Sequence, residues 1–279
     1  MKHTILILAS IMLITMFSAC SPKKNKVEND EIKDTFAYLI DKFEDIKIMQ
    51  YKVPEWDALT AKQKELVYYL SQAALAGRDI IWDQNYKHNL TIRRTLEGIM
   101  EHYNGKRDTE EWEQFEIYLK KVWFANGIHH HYSSEKMLPG FTKDYFVELI
   151  ENSPNAELPL LDNETPEKLL ARLIPIMFDP TIDAKRVNNV QGQDLLATSA
   201  NNFYESVSEK EATAFYAKMK VAGDTTPISY GLNSKLIKEN GKIVEKTWKV
   251  GGMYSQAIEK IVYWLDLAAG VAENTEQET

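Results

Sequence analysis

Cysteine is almost absent: Cys20 is the only one in 279 residues. No disulfide can form within the chain, and a cysteine-built zinc site is excluded. Positive charge is also scarce. The 33 Lys and Arg face 41 Asp and Glu, for a formal net charge of −8. Such an acidic chain is a poor nucleic-acid binder, because phosphates need clustered Lys and Arg. No internal repeat of roughly 20–50 residues is visible. The signatures of several chemistries are missing too. There is no Gly-x-Ser-x-Gly, no glycine loop of the phosphate-cradling kind, and no His-Glu-x-x-His or His-Glu-x-x-x-His. The last pattern would put two imidazoles on one helix face with a Glu base between them.

What is present begins with a compartment signal. Met1-Lys2-His3 is a short basic start, residues 5–17 are an uncharged apolar run, and Ser18-Ala19 precede Cys20. That is the layout of a secretory signal, and the run is short of the roughly 20 residues that a bilayer span needs. A cysteine after small residues matches the bacterial lipobox, although Phe17 stands where Leu is usual. The expectation is cleavage before Cys20 and lipid attachment to it; an uncleaved anchor and plain secretion are the competing readings. Loss of residues 1–19, whose one charged side chain is Lys2, takes the formal charge from −8 to −9. Membrane contact would then come from lipid rather than from a basic patch. The basic run Lys23-Lys24-Asn25-Lys26 sits beside the anchor and leans towards the periplasmic side. The organisation read from the sequence is signal 1–19, anchor and linker 20–33, and folded region 34–279.

The folded region reads as α+β and predominantly helical. Thr60-Ala61-Lys62-Gln63 and Ser208-Glu209-Lys210-Glu211 have the capping-box arrangement of a hydroxyl at the cap and Gln or Glu three residues on. Behind the first, Leu66, Leu70, Ala73, Ala74 and Gly77 fall at helical spacing, and their small residues predict close helix packing. Residues 87–103 form a second amphipathic pattern. Trp112, Phe115, Leu119, Val122 and Trp123 make an aromatic-rich face that is expected to be buried. Phe141–Asn152 reads as a short helix. Thr165-Pro166 is a good helix start, with Leu169, Leu170, Leu173, Ile174 and Met177 on its face and Pro180 as its stop. Two strand-like runs, from Tyr230 to Lys238 and from Lys242 to Val250, flank Asn240-Gly241, a pair suited to a type I′ hairpin. An isolated hairpin is marginal in water, and the sequence offers it no convincing partner. After Gly251-Gly252 a last helix carries Tyr254, Ile258, Ile261, Val262, Leu265 and Ala269. The polar residues 273–279 follow, with no evident closing element.

His129-His130-His131 follow Asn126-Gly127 and precede Tyr132. Asn-Gly marks the end of the preceding helix. Consecutive histidines in an extended loop point to alternating sides and do not easily converge on one metal. Three readings stay open: a polar loop packed on the body, the lining of a peptide pocket, and a metal site. His88 and His102 are too far apart to share a helix turn.

Leu59–Asn85 resembles the early helical region of bacterial dipeptidyl peptidase III proteins. Phe115–Pro139, with its run Trp123-Phe124-Ala125-Asn126-Gly127-Ile128-His129-His130-His131-Tyr132, resembles their next segment, and Ser229–Leu265 their later hairpin and helix. The similarity extends over most of residues 35–279. It implies a two-lobed zinc exopeptidase that releases dipeptides from the N-termini of oligopeptides. The helical upper lobe of that family carries zinc on His-Glu-x-x-Gly-His and a further Glu; the lower lobe packs helices around a small β-barrel and lines the cleft. This chain resembles the lower-lobe portion, and the hairpin would belong to that barrel. The zinc motif is absent, so the resemblance implies no cofactor in this chain and no turnover by it alone. The partners it implies are an oligopeptide and a zinc lobe from elsewhere. Tyr132 matches an aromatic lining the subsite for the N-terminal dipeptide, with Asn126, His129, His130 and His131 beside it. The rival readings are a lipid-anchored peptide-binding protein without catalysis and an inert remnant.

Overall fold

Helices are the main regular structure of the described residues, and short sheets complete it. The computed structural model describes residues 36–154, 156–223 and 231–279. The apolar run, Cys20, the tether, Ser229 and Tyr230 lie outside the described residues. Two compact units are distinguished. The first has residues 36–40 and 48–52 among the described residues. Its bonds are local: Gln50 donates its backbone N–H to the carbonyl of Tyr38 at 2.9 Å and its side-chain amide to that of Ala37 at 2.7 Å. Strands β1 (Leu39–Phe43) and β2 (Ile46–Met49) form a two-stranded sheet.

The second unit holds residues 41–47 and 53–279. Its helices are α1 (Ala61–Ala76), α2 (Arg78–Asn85), α3 (Asn89–His102), α4 (Glu110–Ala125), α5 (Lys143–Glu151), α6 (Pro166–Phe178), α7 (Glu209–Ala217), α8 (Ser255–Gly270) and α9 (Thr275–Glu278). The fold is α+β and mostly helical, as the sequence predicts. Helix starts follow their caps. Thr60 Oγ1 accepts from the N–H of Gln63 at 3.2 Å, and Gln63 returns the bond to the N–H of Thr60 at 2.9 Å. Ser208 and Glu211 do the same for α7. Thr109, Thr142 and Thr165 cap α4, α5 and α6 with their hydroxyls. Each such cap contributes about 1 kcal/mol.

The core lies among α2 to α6. Ile92, Leu96 and Ile99 of α3 meet Phe115, Leu119 and Val122 of α4, Phe146 and Leu149 of α5, and Leu169, Leu173 and Met177 of α6. Each fully buried side chain of this kind contributes roughly 1.5–3 kcal/mol. Two positions depart from expectation. Trp123, placed by its spacing on the buried face, is exposed, and its indole N–H donates to Glu97 at 2.9 Å. Tyr254 is not part of the apolar face of α8. It precedes that helix at φ 62, and its hydroxyl donates to Asp83 at 2.6 Å.

Helices α1 and α8 pack on each other along the small-residue face of α1. A Cβ at Gly77 would come within 3.3 Å of Ile261 Cδ1, so the glycine sets how closely the pair approaches. Strands β4 (Ser234–Glu239) and β5 (Lys242–Thr247) form the antiparallel hairpin, with Asn240 at φ 48 and Gly241 at φ 75. The hairpin does have a partner in this chain. Strand β3 (Tyr204–Glu205) runs parallel to β4, with Tyr204 opposite Leu236. A two-residue strand is too short for any alternation to register in a sequence. Among the described residues no sheet closes into a barrel. A second, smaller core of Val207, Ala212 and Leu236 lies under this sheet.

Candidate functional site

The turn after α4 is built by its neighbours before it is built by itself. Asn126 ends α4 in the left-handed conformation at φ 51, and Gly127 follows at φ 146. The side chain of Asn89, fully buried at the start of α3, fills the space next to Gly127. It donates to the carbonyls of Trp82 at 3.1 Å and Asn126 at 3.3 Å, and accepts from the N–H of Ile128 at 3.2 Å. Asn85 donates to the same Asn126 carbonyl at 3.1 Å. One buried amide thus satisfies the backbone where a helix terminus would leave polar groups unpaired. Asn126 therefore shapes the turn through its backbone.

The three histidines diverge. His129 is buried, and its Nε2 lies 2.7 Å from the carbonyl of Asp183. A carbonyl only accepts, so Nε2 carries the proton and Nδ1 is a bare lone pair. Among the described residues that Nδ1 is buried without a partner. Burial pushes the pKa of His129 down, with Lys136 and Arg186 adding to it against the pull of the Asp183 carbonyl. His130 turns outward. Its Nδ1 accepts from the N–H groups of Tyr132 and Ser133, both at 3.2 Å. His131 stacks on His130 with ring centroids 4.5 Å apart. Desolvation, then the proximity of His130 and Arg186, lowers its pKa as well.

Tyr132 is 86 % exposed and is no core aromatic. Its ring lies 4.3 Å from His131, which in turn meets Phe124 edge-on at 4.9 Å. Phe124, His131 and Tyr132 form an aromatic shelf open to solvent, with Trp123 exposed just before it in α4. The support beneath is polar and fixed. Arg186 donates to the carbonyl of His131 at 3.1 Å and to Asn85 Oδ1 at 3.2 Å. His130 donates its N–H to the carbonyl of Glu135 at 2.8 Å, closing the loop on itself. Such a shelf offers flat π faces and neutral imidazole edges. It can stack on planar peptide groups or aromatic side chains and donate hydrogen bonds.

Zinc, the metal of the family that the sequence resembles, needs ligands that converge on one centre. His129 Nε2 is committed to Asp183, and the rings of His130 and His131 lie stacked at 29° rather than pointing at one centre. His88 and His102 stand at opposite ends of α3, about 20 Å apart by helix rise. Among the described residues no three His, Cys, Asp or Glu side chains are grouped to hold a metal ion. The residues present do not fit zinc.

The structure brings Asn126 and His129–His131 to one turn with Tyr132, and adds residues that carry no local sequence signal. Asn89, Asn85, Arg186, Asp183 and Phe124 complete the site from segments far apart in the chain. Asn89 shares its bonds with a turn 37 residues away and Arg186 with one 55 residues away. Neither separation leaves a spacing to read. No protein-family model and no curated relative matches this sequence.

Proposed function

We propose that this chain forms the peptide-cleft portion of a dipeptidyl peptidase III-like lipoprotein, with the aromatic shelf at Tyr132 contacting the oligopeptide. The observation that carries the reading is the nearly full exposure of Tyr132 on a turn held from below by Asn89, Asn85 and Arg186. An exposed aromatic ring on a fixed support gives contact area with little ordering cost. The resemblance of residues 59–85, 115–139 and 229–265 supports the choice of family. On this reading the zinc ligands and the catalytic Glu belong to residues other than those in this chain. Cys20 carries the lipid, and the protein sits in the cell envelope.

The test is a titration of the full chain in detergent with unlabelled tetra- to hexapeptides, followed by tryptophan fluorescence. A dipeptidyl-arylamide assay with added zinc runs beside it. Peptide binding that Tyr132→Ala weakens about tenfold, with no arylamide release, is the expected result. Binding unchanged by Tyr132→Ala would remove the shelf from the site. Arylamide release by this chain would overturn the division of labour.

A further inference from the structure

A polar cleft of about 470 Å³ opens beside the Asp183 segment in the second unit. Tyr86 and Lys87 at the α2–α3 junction, Asp183, Ser199 and the β3–α7 turn at Ser206 line it. Its size falls in the roughly 300–1,000 Å³ range of small-molecule sites. We propose that this cleft binds a small zwitterion of the amino-acid type, its ammonium on the Asp183 carboxylate and its carboxylate on the Lys87 ammonium.

The assignment rests on which charges remain free. Three carboxylates line the cleft: Asp183, Glu205 and Glu211. Glu205 is paired with Lys235 and Glu211 with Lys238, each at 2.5 Å. Asp183 has no cation within ion-pair distance among the described residues; the Lys136 ammonium, bonded to backbone carbonyls, acts on it only at longer range. Its Oδ2 accepts from the Tyr86 hydroxyl at 2.5 Å, and its carbonyl takes the imidazole of His129. Both donors are buried residues; Tyr86 holds the carboxylate and His129 its backbone, and among the described residues the second carboxylate oxygen accepts no hydrogen bond. Lys87, the cation lining the cleft, has no carboxylate within ion-pair distance among the described residues; it acts at longer range on Glu205, whose direct partner is Lys235. One carboxylate and one ammonium in a single cleft, neither in a direct ion pair among the described residues, select a ligand carrying both signs. A purely anionic or purely cationic molecule would satisfy one and meet repulsion from the other.

Backbone strain points to the same place. Asp183 at φ 48 and Ser206 at φ 56 both hold the left-handed conformation that side chains rarely adopt, and both line this cleft. Such conformations cost about 1–3 kcal/mol each and persist where surrounding structure enforces them, most often at binding sites. Here the enforcement is visible for Asp183 in its bonds to Tyr86 and His129.

The experiment is ligand-observed NMR and calorimetric titration of the full chain in detergent. The probes are glycine, β-alanine, 4-aminobutyrate and 6-aminohexanoate, with propionate and propylamine as single-charge controls. One zwitterion length should bind. Its N-acetyl and amide forms, and both controls, should bind at least about tenfold more weakly, as for loss of one charge-assisted contact. Asp183→Asn keeps an acceptor for Tyr86 and tolerates the positive φ, and Lys87→Met alters an exposed side chain; each should lose about tenfold. Tyr132→Ala should change nothing, which separates this site from the peptide shelf. Absence of binding by every zwitterion, or binding that survives blocking of either charge or both substitutions, overturns the assignment.

Discussion

A Cβ on Gly127 would stand 2.1 Å from the side-chain nitrogen of Asn89. The start of α3 and the end of α4 are interlocked at that point, and the shelf of His131 and Tyr132 hangs from the lock. Gly127→Ala therefore meets both a clash and a φ of 146° that alanine disfavours. It should cost roughly 3–5 kcal/mol of stability, in the upper range for single substitutions. Asn89→Ala should cost about 1–3 kcal/mol by stranding buried backbone groups. Urea unfolding of the two variants measures both, and a Gly127→Ala protein as stable as the parent would mean the turn relaxes freely.

Tyr132→Ala should behave in the opposite way. The ring is exposed, so its removal should change stability by no more than about 0.5 kcal/mol. A loss of peptide binding without loss of stability is the signature of a surface built for a partner. A large fall in melting temperature would instead make the ring a structural lid on His131.

The architecture was largely legible, because its causes are local. Thr60 with Gln63 and Ser208 with Glu211 announce helix starts, since the bonds they make lie within one turn. Asn240-Gly241 announces its turn by the same logic. Illegible features are those whose partners are remote. The hairpin found its third strand in Tyr204–Glu205, some thirty residues earlier in the chain. Tyr254 left its helical stripe for Asp83, 171 residues away. Trp123 shows a subtler failure: it follows Leu119 by four residues, but the buried face of α4 runs through Tyr118, Val122 and Ala125 instead. The site divides in the same way. His129, His130, His131 and Tyr132 were conspicuous as a run, whereas Asn89 and Arg186 that hold them were not.

The buried histidine makes stability depend on pH near neutrality. The pKa of His129 in the folded protein lies below its unfolded value of about 6.5, chiefly because of burial. The folded state then binds fewer protons, so stability is full above about pH 6.5 and is lost as pH falls towards the folded pKa. His88 and His131 shift in the same direction, each mainly through desolvation. The melting temperature should fall between pH 7 and pH 5, and fall less in His129→Gln, whose amide can still donate to Asp183. Equal pH slopes for the two proteins would exclude His129 as a source.

A separate window lies at lower pH. The Lys238 ammonium holds the Glu211 carboxyl at about 2, with the Ser208 N–H and hydroxyl adding to it. This pKa is below the unfolded value of about 4.3, so the contribution is present above about pH 4.3 and is lost as pH falls through about 2. Glu211→Gln should be less stable than the parent at pH 6 and equal to it near pH 2. Since Glu211 also closes the cap of α7, amide exchange at the start of that helix should quicken in the variant at pH 6. A difference that persists undiminished at the lowest pH would assign the effect to packing rather than charge.

Lys136 offers the sharpest test of how the Asp183 segment is held. Its ammonium donates to the carbonyls of Ile176 at 2.8 Å and Asp179 at 2.9 Å, and to that of Ile182. The first lies in the last turn of α6, where carbonyls have no helical partner. The other two belong to the chain leading into Asp183. One cation thus closes a helix end and ties down the segment that carries both the His129 acceptor and the cleft carboxylate. Lys136→Met keeps the length and apolar stem but removes three donors at once. It should cost about 2–4 kcal/mol, the scale of several unpaired polar groups. Amide exchange should rise at residues 179–184 before it rises in α3 or α4. Uniform acceleration across the whole unit would mean that Lys136 stabilises the fold globally, and the positioning of Asp183 would then have to be ascribed to Tyr86 and His129 alone.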